Sequence, residues 1–187
     1  MLHGGTKILK TERLTLRPFT TEDADAMFRH WASDDEVTKY LTWPTHKTPS
    51  GTKYVLGLWE KEYEKPDYYC WALELNSIGE VIGSISVVKI DESTSSGDLG
   101  WCIGRSFWGQ GLVPEAAREI IKYLFEEVGF ERITACHDKN NPKSGRVMQK
   151  VGMTCEGTFR RAGRNNQGIC DVVYYAILKD EYESLNK

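Results

Sequence analysis

Two glycines, Gly109 and Gly111, stand where a strand gives way to a helix in the stretch FWGQGLVPEAAREI. Glycine permits backbone torsions and close approaches that a Cβ forbids, so the chain can turn sharply and begin a helix at once. The first amides of that helix have no partner inside it, and the positive end of the helix dipole lies at the same place. Together they favour an anion, typically a phosphate. Pro114 suits the position, because its missing N–H falls where no intrahelical bond is made. The same pattern also reads as a tight turn that only packs helix on sheet. Two other phosphate-binding patterns are excluded by inspection. No Gly-Lys-Ser/Thr follows, and no third glycine is accompanied by an acidic residue about 20 positions on.

The remaining reactive side chains form no recognisable centre. Cys102 has no His or Asp nearby in sequence and reads as a half-buried strand thiol rather than a nucleophile. Cys70, Cys102, Cys136, Cys155 and Cys170 are odd in number, widely spaced and without a CxxC pair, so they read as reduced thiols. His3, His30, His46 and His137 lack metal-ligand spacing, and no metal is expected. A net charge of −3 argues against nucleic acid as the main partner. Arg160, Arg161 and Arg164 form one basic cluster, read as a solvated hairpin edge in preference to a phosphate or acidic-substrate contact. No apolar run is long enough for a bilayer, and the N-terminus has no apolar signal core, so the cytoplasm is the expected compartment and no membrane partner is expected.

The elements that must position these residues follow from periodicity. The 187 residues, 40% hydrophobic and 27% charged, suit one domain spanning 1–187. Leu14, Leu16 and Phe19 mark a first strand. A helix over about Glu22 to Ala32 carries Ala24, Met27, Phe28 and Trp31 on one face, followed by helical pieces near Asp35 to Leu41 and Ser50 to Tyr63. From Tyr68 the pattern turns β-rich, with a hairpin turning at Asn76 to Gly79 and a third strand over Ser96 to Ile103. Ala117, Ile120, Ile121, Leu124 and Val128 stripe a helix that Gly129 ends. A strand (Arg132 to Cys136), a helix (Pro142 to Val151) and two strands (Thr154 to Arg161, Cys170 to Leu178) complete the chain. This order predicts an α/β or mixed α+β domain around one sheet.

The spelling Trp108, Gly109, Gly111, Glu115, Ala116 resembles the cofactor motif of the GNAT acetyltransferases, and in particular the RimJ/RimL branch that acetylates protein N-termini. ERLTLRPF with its following EDA, GEVIGSISV, DKNNPKSGRVMQKVGMTCEGTFR and GICDVVYYAILKDEY are similar to further family segments, so the resemblance runs from about Leu9 to Tyr182. Val113 and Pro114 depart from it, replacing a small residue and a Thr. The resemblance implies a mostly antiparallel sheet of about seven strands, splayed open at the cofactor site, with helices on both faces. It also implies acetyl-CoA as cosubstrate and direct attack by an amine.

On that reading Trp108, Gly109, Gln110, Gly111, Leu112 and Val113 hold the pyrophosphate, and the backbone of Trp101, Cys102 and Ile103 pairs with the pantetheine arm. Asn141 matches a pantetheine contact, though an Asn before Pro is equally a helix-start residue. Ser144 matches a hydroxyl near the cofactor sulfur, able to donate to the departing thiolate, and reads otherwise as an exposed first-turn serine. Glu156 is the expected base, against a surface carboxylate. Trp31, with Trp43 and Trp59, lines the acceptor groove or packs the core, and Asp171 and Tyr175 are expected acceptor contacts.

The expected acceptor is a protein N-terminus, such as that of a ribosomal protein, with the chain a monomer or homodimer. Neutralising an α-amine at pH 7 costs only about 1.4 kcal/mol, whereas a lysine amine costs about 4.6 kcal/mol, so an N-terminal acceptor needs little help from a base. A small amine (polyamine, amino acid or antibiotic) and a non-catalytic CoA sensor are the alternatives.

Overall fold

Alternation along the third strand sorts side chains to two cores. In the computed structural model, which describes residues 1–185, Trp71 and Leu73 join one buried cluster while Cys70 and Ala72 join another. Successive strand side chains point to opposite faces, so both faces of the sheet are covered. The strands are β1 (Leu9–Lys10), β2 (Leu14–Arg17), β3 (Cys70–Leu75), β4 (Glu80–Asp91), β5 (Ser96–Ile103), β6 (Arg132–Asp138), β7 (Thr154–Asn165) and β8 (Gly168–Leu178). They form one sheet in the order β1-β2-β3-β4-β5-β6-β8-β7, in which only the β5/β6 pair is parallel.

Helix α1 is a continuous helical run of three forms, a 3₁₀ turn Thr21–Asp23, an α-helical stretch Ala24–Met27 and a π-helical stretch Phe28–Ala32. It is followed by α2 (Asp35–Thr38) and α3 (Pro49–Glu62). Met27, Trp31 and Leu56 from this group fill the core over β3 and β4. The opposite face carries α4 (Leu112–Tyr123, running on through Leu124–Val128) and α5 (Pro142–Lys150), whose Ile120, Leu124 and Met148 pack on Leu73, Ile85 and Ile133. Gly129 ends α4 in the left-handed region, φ 86°, as its position after the apolar stripe predicts. Helix α6 (Lys179–Leu185) closes the described chain.

The sheet has eight strands, in keeping with the roughly seven expected. The addition is β1, which pairs only Leu9 with Leu16 and Lys10 with Thr15. Two residues are too few to show alternation. Phe19 lies beyond the end of β2 and packs against Trp59, ring centroids 5.3 Å apart, rather than continuing the strand. Helix α6 is a second addition, because buried residues are absent from it and its sequence has no apolar stripe to read.

Candidate active site

The parallel pair β5/β6 comes apart halfway. Its register runs from Ser96↔Arg132 to Leu99↔Ala135 and stops, although β5 continues to Ile103 and β6 to Asp138. Each limb keeps its outer neighbour: Gly100–Ile103 stay paired with β4, and Cys136–Asp138 with β8. The result is a V-shaped slot edged by backbone that makes no ladder bonds across it. Trp101, Cys102 and Ile103, expected to line the cofactor arm, all lie on one limb. Such an edge offers an extended ligand the hydrogen bonds of a missing strand.

Both limbs lead into helices on the same face of the sheet. Beyond Ile103 the chain makes a short turn at Arg105–Phe107, and Gly109 and Gly111 both take φ 77°, which brings α4 to the mouth of the slot. Trp108 pins this loop by donating from its indole Nε1 to the Ile103 carbonyl at 2.9 Å. The Trp108 amide bonds to Arg105 O and the Glu115 amide to Gly111 O. Between them the amides of Gly109, Gln110, Gly111, Leu112 and Val113 have no protein acceptor among the described residues. Five consecutive free N–H groups at a helix N-terminus form a cradle suited to linked phosphates.

An acidic residue in the first turn of α4 would oppose an anion, and Glu115 occupies that turn. Its carboxylate is turned away. It accepts from Thr11 Oγ1 at 2.6 Å, from the Arg13 amide at 2.9 Å and from Arg13 Nε at 2.7 Å. Burial raises its pKa, but the bonds from Thr11 and Arg13 outweigh burial and hold it below the usual value. Arg13 also donates to the Gln110 carbonyl at 3.0 Å, which holds that peptide to one side.

The second limb ends at Asn141 and α5. The Asn141 side chain does not cap the helix, so of its two expected roles the cap is not the one adopted. Ser144, half-buried in the first turn, makes no side-chain hydrogen bond among the described residues. Helix α5 sits tightly on β6, since a Cβ on Gly145 would meet His137 Nε2 at 2.6 Å. Lys143 lays its ammonium over the Trp108 ring, 4.3 Å from the centroid, and so joins the two helix starts across the slot.

The acceptor residues expected from sequence are placed differently. Trp31 is fully buried in the core under α3, its indole nitrogen without a hydrogen-bond partner among the described residues, and so presents no surface to an acceptor. Tyr175 is 6% exposed and lies against His137, ring centroids 5.8 Å apart, on the α5 side of the sheet. Asp171 accepts from the Arg161 amide at 2.9 Å and braces the β7–β8 hairpin. Glu156 is exposed and gripped by both terminal nitrogens of Arg132, one at 2.8 Å. That ion pair lowers its pKa, and a carboxylate so held is a weak proton acceptor. Cys102 is a thiol beside Ser84 Oγ, 3.3 Å away, pushed up to about 11 by burial, and no activated nucleophile.

A different carboxylate stands at the slot. Asp98 on β5 is one residue before the last paired position, half-buried, and accepts from Thr134 Oγ1 at 3.0 Å. Burial pushes its pKa up, with Thr134 and Lys89 offsetting part of the rise. By register Asp98 shares its face with Thr134, and Cys136 and Tyr174 follow on that face, opposite to α4 and α5. Sequence reasoning passed over it. The available signal was a lone acid inside the strand SGDLGWCI, where the other residues are small, apolar or aromatic.

Residues 13–154 match the acetyltransferase (GNAT) domain family. The chain is 30% identical over 174 residues to the "Uncharacterized N-acetyltransferase p20" of Bacillus licheniformis, covering 93% of this chain and 97% of that one. It is 28% identical over 101 residues to the "Ribosomal-protein-serine acetyltransferase" of Escherichia coli, covering 54% and 56% of the two chains. A crystal structure of a GNAT-family acetyltransferase from Bacillus anthracis superposes with a TM-score of 0.81 at 29% identity, over 93% of this chain and 99% of that one.

Proposed function

Because this chain belongs to the GNAT family of acetyltransferases, we propose that it transfers the acetyl group of acetyl-CoA to the N-terminal amine of a polypeptide. The observation that carries the reading is the run of five unpartnered amides, Gly109–Val113, at the mouth of the β5/β6 slot. A diphosphate suits the amides and an extended amide-bearing arm suits the slot. The polypeptide acceptor is supported by the likeness to the ribosomal-protein-serine acetyltransferase. The low cost of neutralising an α-amine supports it too.

In the reaction an amine nitrogen forms a bond to the thioester carbonyl carbon, the carbon–sulfur bond breaks, and the proton lost by nitrogen is balanced by the one gained on sulfur. Asp98 is assigned as the group that takes the amine proton. It lies where the strands part, and burial makes it a stronger proton acceptor than an exposed carboxylate. Ser144 Oγ donates to the departing sulfur, and the Asn141 amide holds the arm of the cosubstrate. Backbone amides of β5 at the slot stabilise charge on the carbonyl oxygen, fixed donors being the most effective kind.

The test is thiol release from acetyl-CoA with Ser-, Ala- and Met-initiated peptides and a panel of small amines. Peptide-dependent release is expected. Release with small amines only would move the acceptor to a metabolite, and tight CoA binding with no release would mark a sensor.

A further inference from the structure

Ten arginines divide unevenly. Arg13, Arg17, Arg29, Arg105, Arg118 and Arg132 each reach a carboxylate or a carbonyl. Among the described residues Arg146 on α5 and Arg160, Arg161 and Arg164 reach none with their side chains, and the last three are all exposed on one strand, β7, at the free edge of the sheet. In a chain of net charge −3, three uncompensated cations on one strand are an exception.

The backbone there is shaped as well as charged. Pairing of β7 with β8 breaks between Phe159 and Gly163, and Arg161 takes φ 54°, a left-handed conformation rarely held by a residue with a side chain. The Asp171 carboxylate enforces it by accepting the Arg161 amide, which turns that nearby negative charge inward. Strained backbone persists where its surroundings impose it, and often at sites of function. Phe159 and Ile169 flank the arginines with exposed apolar surface, both more than half exposed, and Phe159 meets Tyr174 edge-on at 5.1 Å.

We infer that the β7 edge around Arg160, Arg161 and Arg164 docks an acidic segment of the acceptor polypeptide. The inference rests on the polypeptide-acceptor reading above. A free strand edge bonds an extended chain through its backbone, and guanidinium forks match carboxylates. The register also sets the spacing. Asp98, Thr134, Ala176 and Thr154 lie side by side on β5, β6, β8 and β7, and Phe159 lies opposite Val172, four residues along β8 from Ala176. Three strand spacings and four residues of rise put Phe159, at the head of the arginine run, about 20 Å from Asp98 on the same side of the sheet, a span of about six extended residues, while Arg164, opposite Ile169, lies on the other side of the same free edge. Carboxylates near positions six to eight of the acceptor therefore meet the arginines when its amine is at Asp98. Three arginines neutralise few phosphates, and an unpaired strand edge matches the backbone of an extended polypeptide rather than RNA.

The experiment compares ten-residue peptides with a common first five residues and Glu, Gln or Lys at positions six to eight. With acetyl-CoA saturating, the Glu peptide is expected to show a KM about tenfold below the Gln peptide, from several weak ion pairs acting together. Arg160→Gln/Arg161→Asn/Arg164→Gln removes that advantage while turnover of a tripeptide is unchanged, and Arg→Glu at all three positions transfers the preference to the Lys peptide. Asn is chosen at 161 because it tolerates a positive φ. Equal KM for Glu and Gln peptides, or a preference surviving in the triple variants, overturns the inference and leaves the acetyltransferase reading standing. Binding of an RNA oligonucleotide that depends on the three arginines and excludes the Glu peptide overturns it in favour of RNA. Turnover of small amines with no peptide acetylated overturns it together with the polypeptide reading.

Discussion

The two sides of the slot are built by different means. On the α4 side the groups assigned to the cosubstrate are backbone amides from five consecutive residues, and the side chains around them, Arg13, Glu115 and Trp108, serve to aim that backbone. On the other face the groups are side chains from separate strands: Asp98, Thr134, Cys136 and Tyr174 meet only because β5, β6 and β8 are neighbours. A backbone cradle is expected to tolerate Val113 and Pro114, since the torsions and free amides are what matter. A side-chain constellation changes with each substitution, so acceptor choice is the more variable half of such an enzyme.

The sharpest break of that contrast is at Asp98. Asp98→Asn keeps the acceptor for Thr134 but cannot take a proton, and kcat is expected to fall about a hundredfold with little change in CoA affinity. Steady-state kinetics beside calorimetry with CoA checks both halves. An unchanged kcat would falsify the assignment. On the other side, Gly111→Val is expected to weaken CoA binding by about tenfold or more, because a β-branched residue resists φ 77°. An added Cβ at Gly111 would meet nothing closer than Arg13 Nη2 at 3.7 Å, so torsion and not a clash is the cause. Ser144→Ala is expected to lower kcat about tenfold while leaving the KM for acetyl-CoA nearly unchanged.

The smallest effect belongs to Glu156→Gln: kcat within about threefold of the parent, and a stability loss of no more than about 1 kcal/mol, the range of exposed ion pairs. Their pH dependences separate the two carboxylates. Glu156 has a lowered pKa, so its contribution to stability is present above its unfolded value of about 4.3 and is lost as pH falls through the folded one. Asp98 has a raised pKa, so ionising it costs stability as pH rises through that pKa, and Asp98→Asn gains on the parent over the same interval. In kinetics the acid limb of kcat/KM is expected to lose one proton of slope in Asp98→Asn, because the acceptor amine alone then titrates. A limb that keeps its slope would return the base to another group.

Legibility follows the same division. The turn from Trp108 to Glu115 was readable because glycines, a proline and an apolar stripe lie within a few residues of one another, where local torsions and helix-end amides act. Strand β1 was not readable, since a two-residue strand carries no period and exists through its pairing with β2. Trp31 and Tyr175 have residue types fit for an acceptor groove, but which face of an element is covered depends on what packs there, and α3 and α5 cover them. Glu156 matched a pattern until Arg132, 24 positions away, took its carboxylate.

The sequence by itself determined the α/β class, the order of elements, the sharp helix start at Gly111 and the chemistry that a row of helix-end amides favours. These rest on torsions and periodicities spanning a few residues. Tertiary structure alone decided where β5 and β6 part, that Asp98 is half-buried beside Thr134, that the Asn141 side chain does not cap its helix, and that three arginines on β7 find no side-chain partner among the described residues. Each of those depends on neighbours distant in the chain, and on burial, which a residue acquires only when the whole sheet and its covering helices assemble.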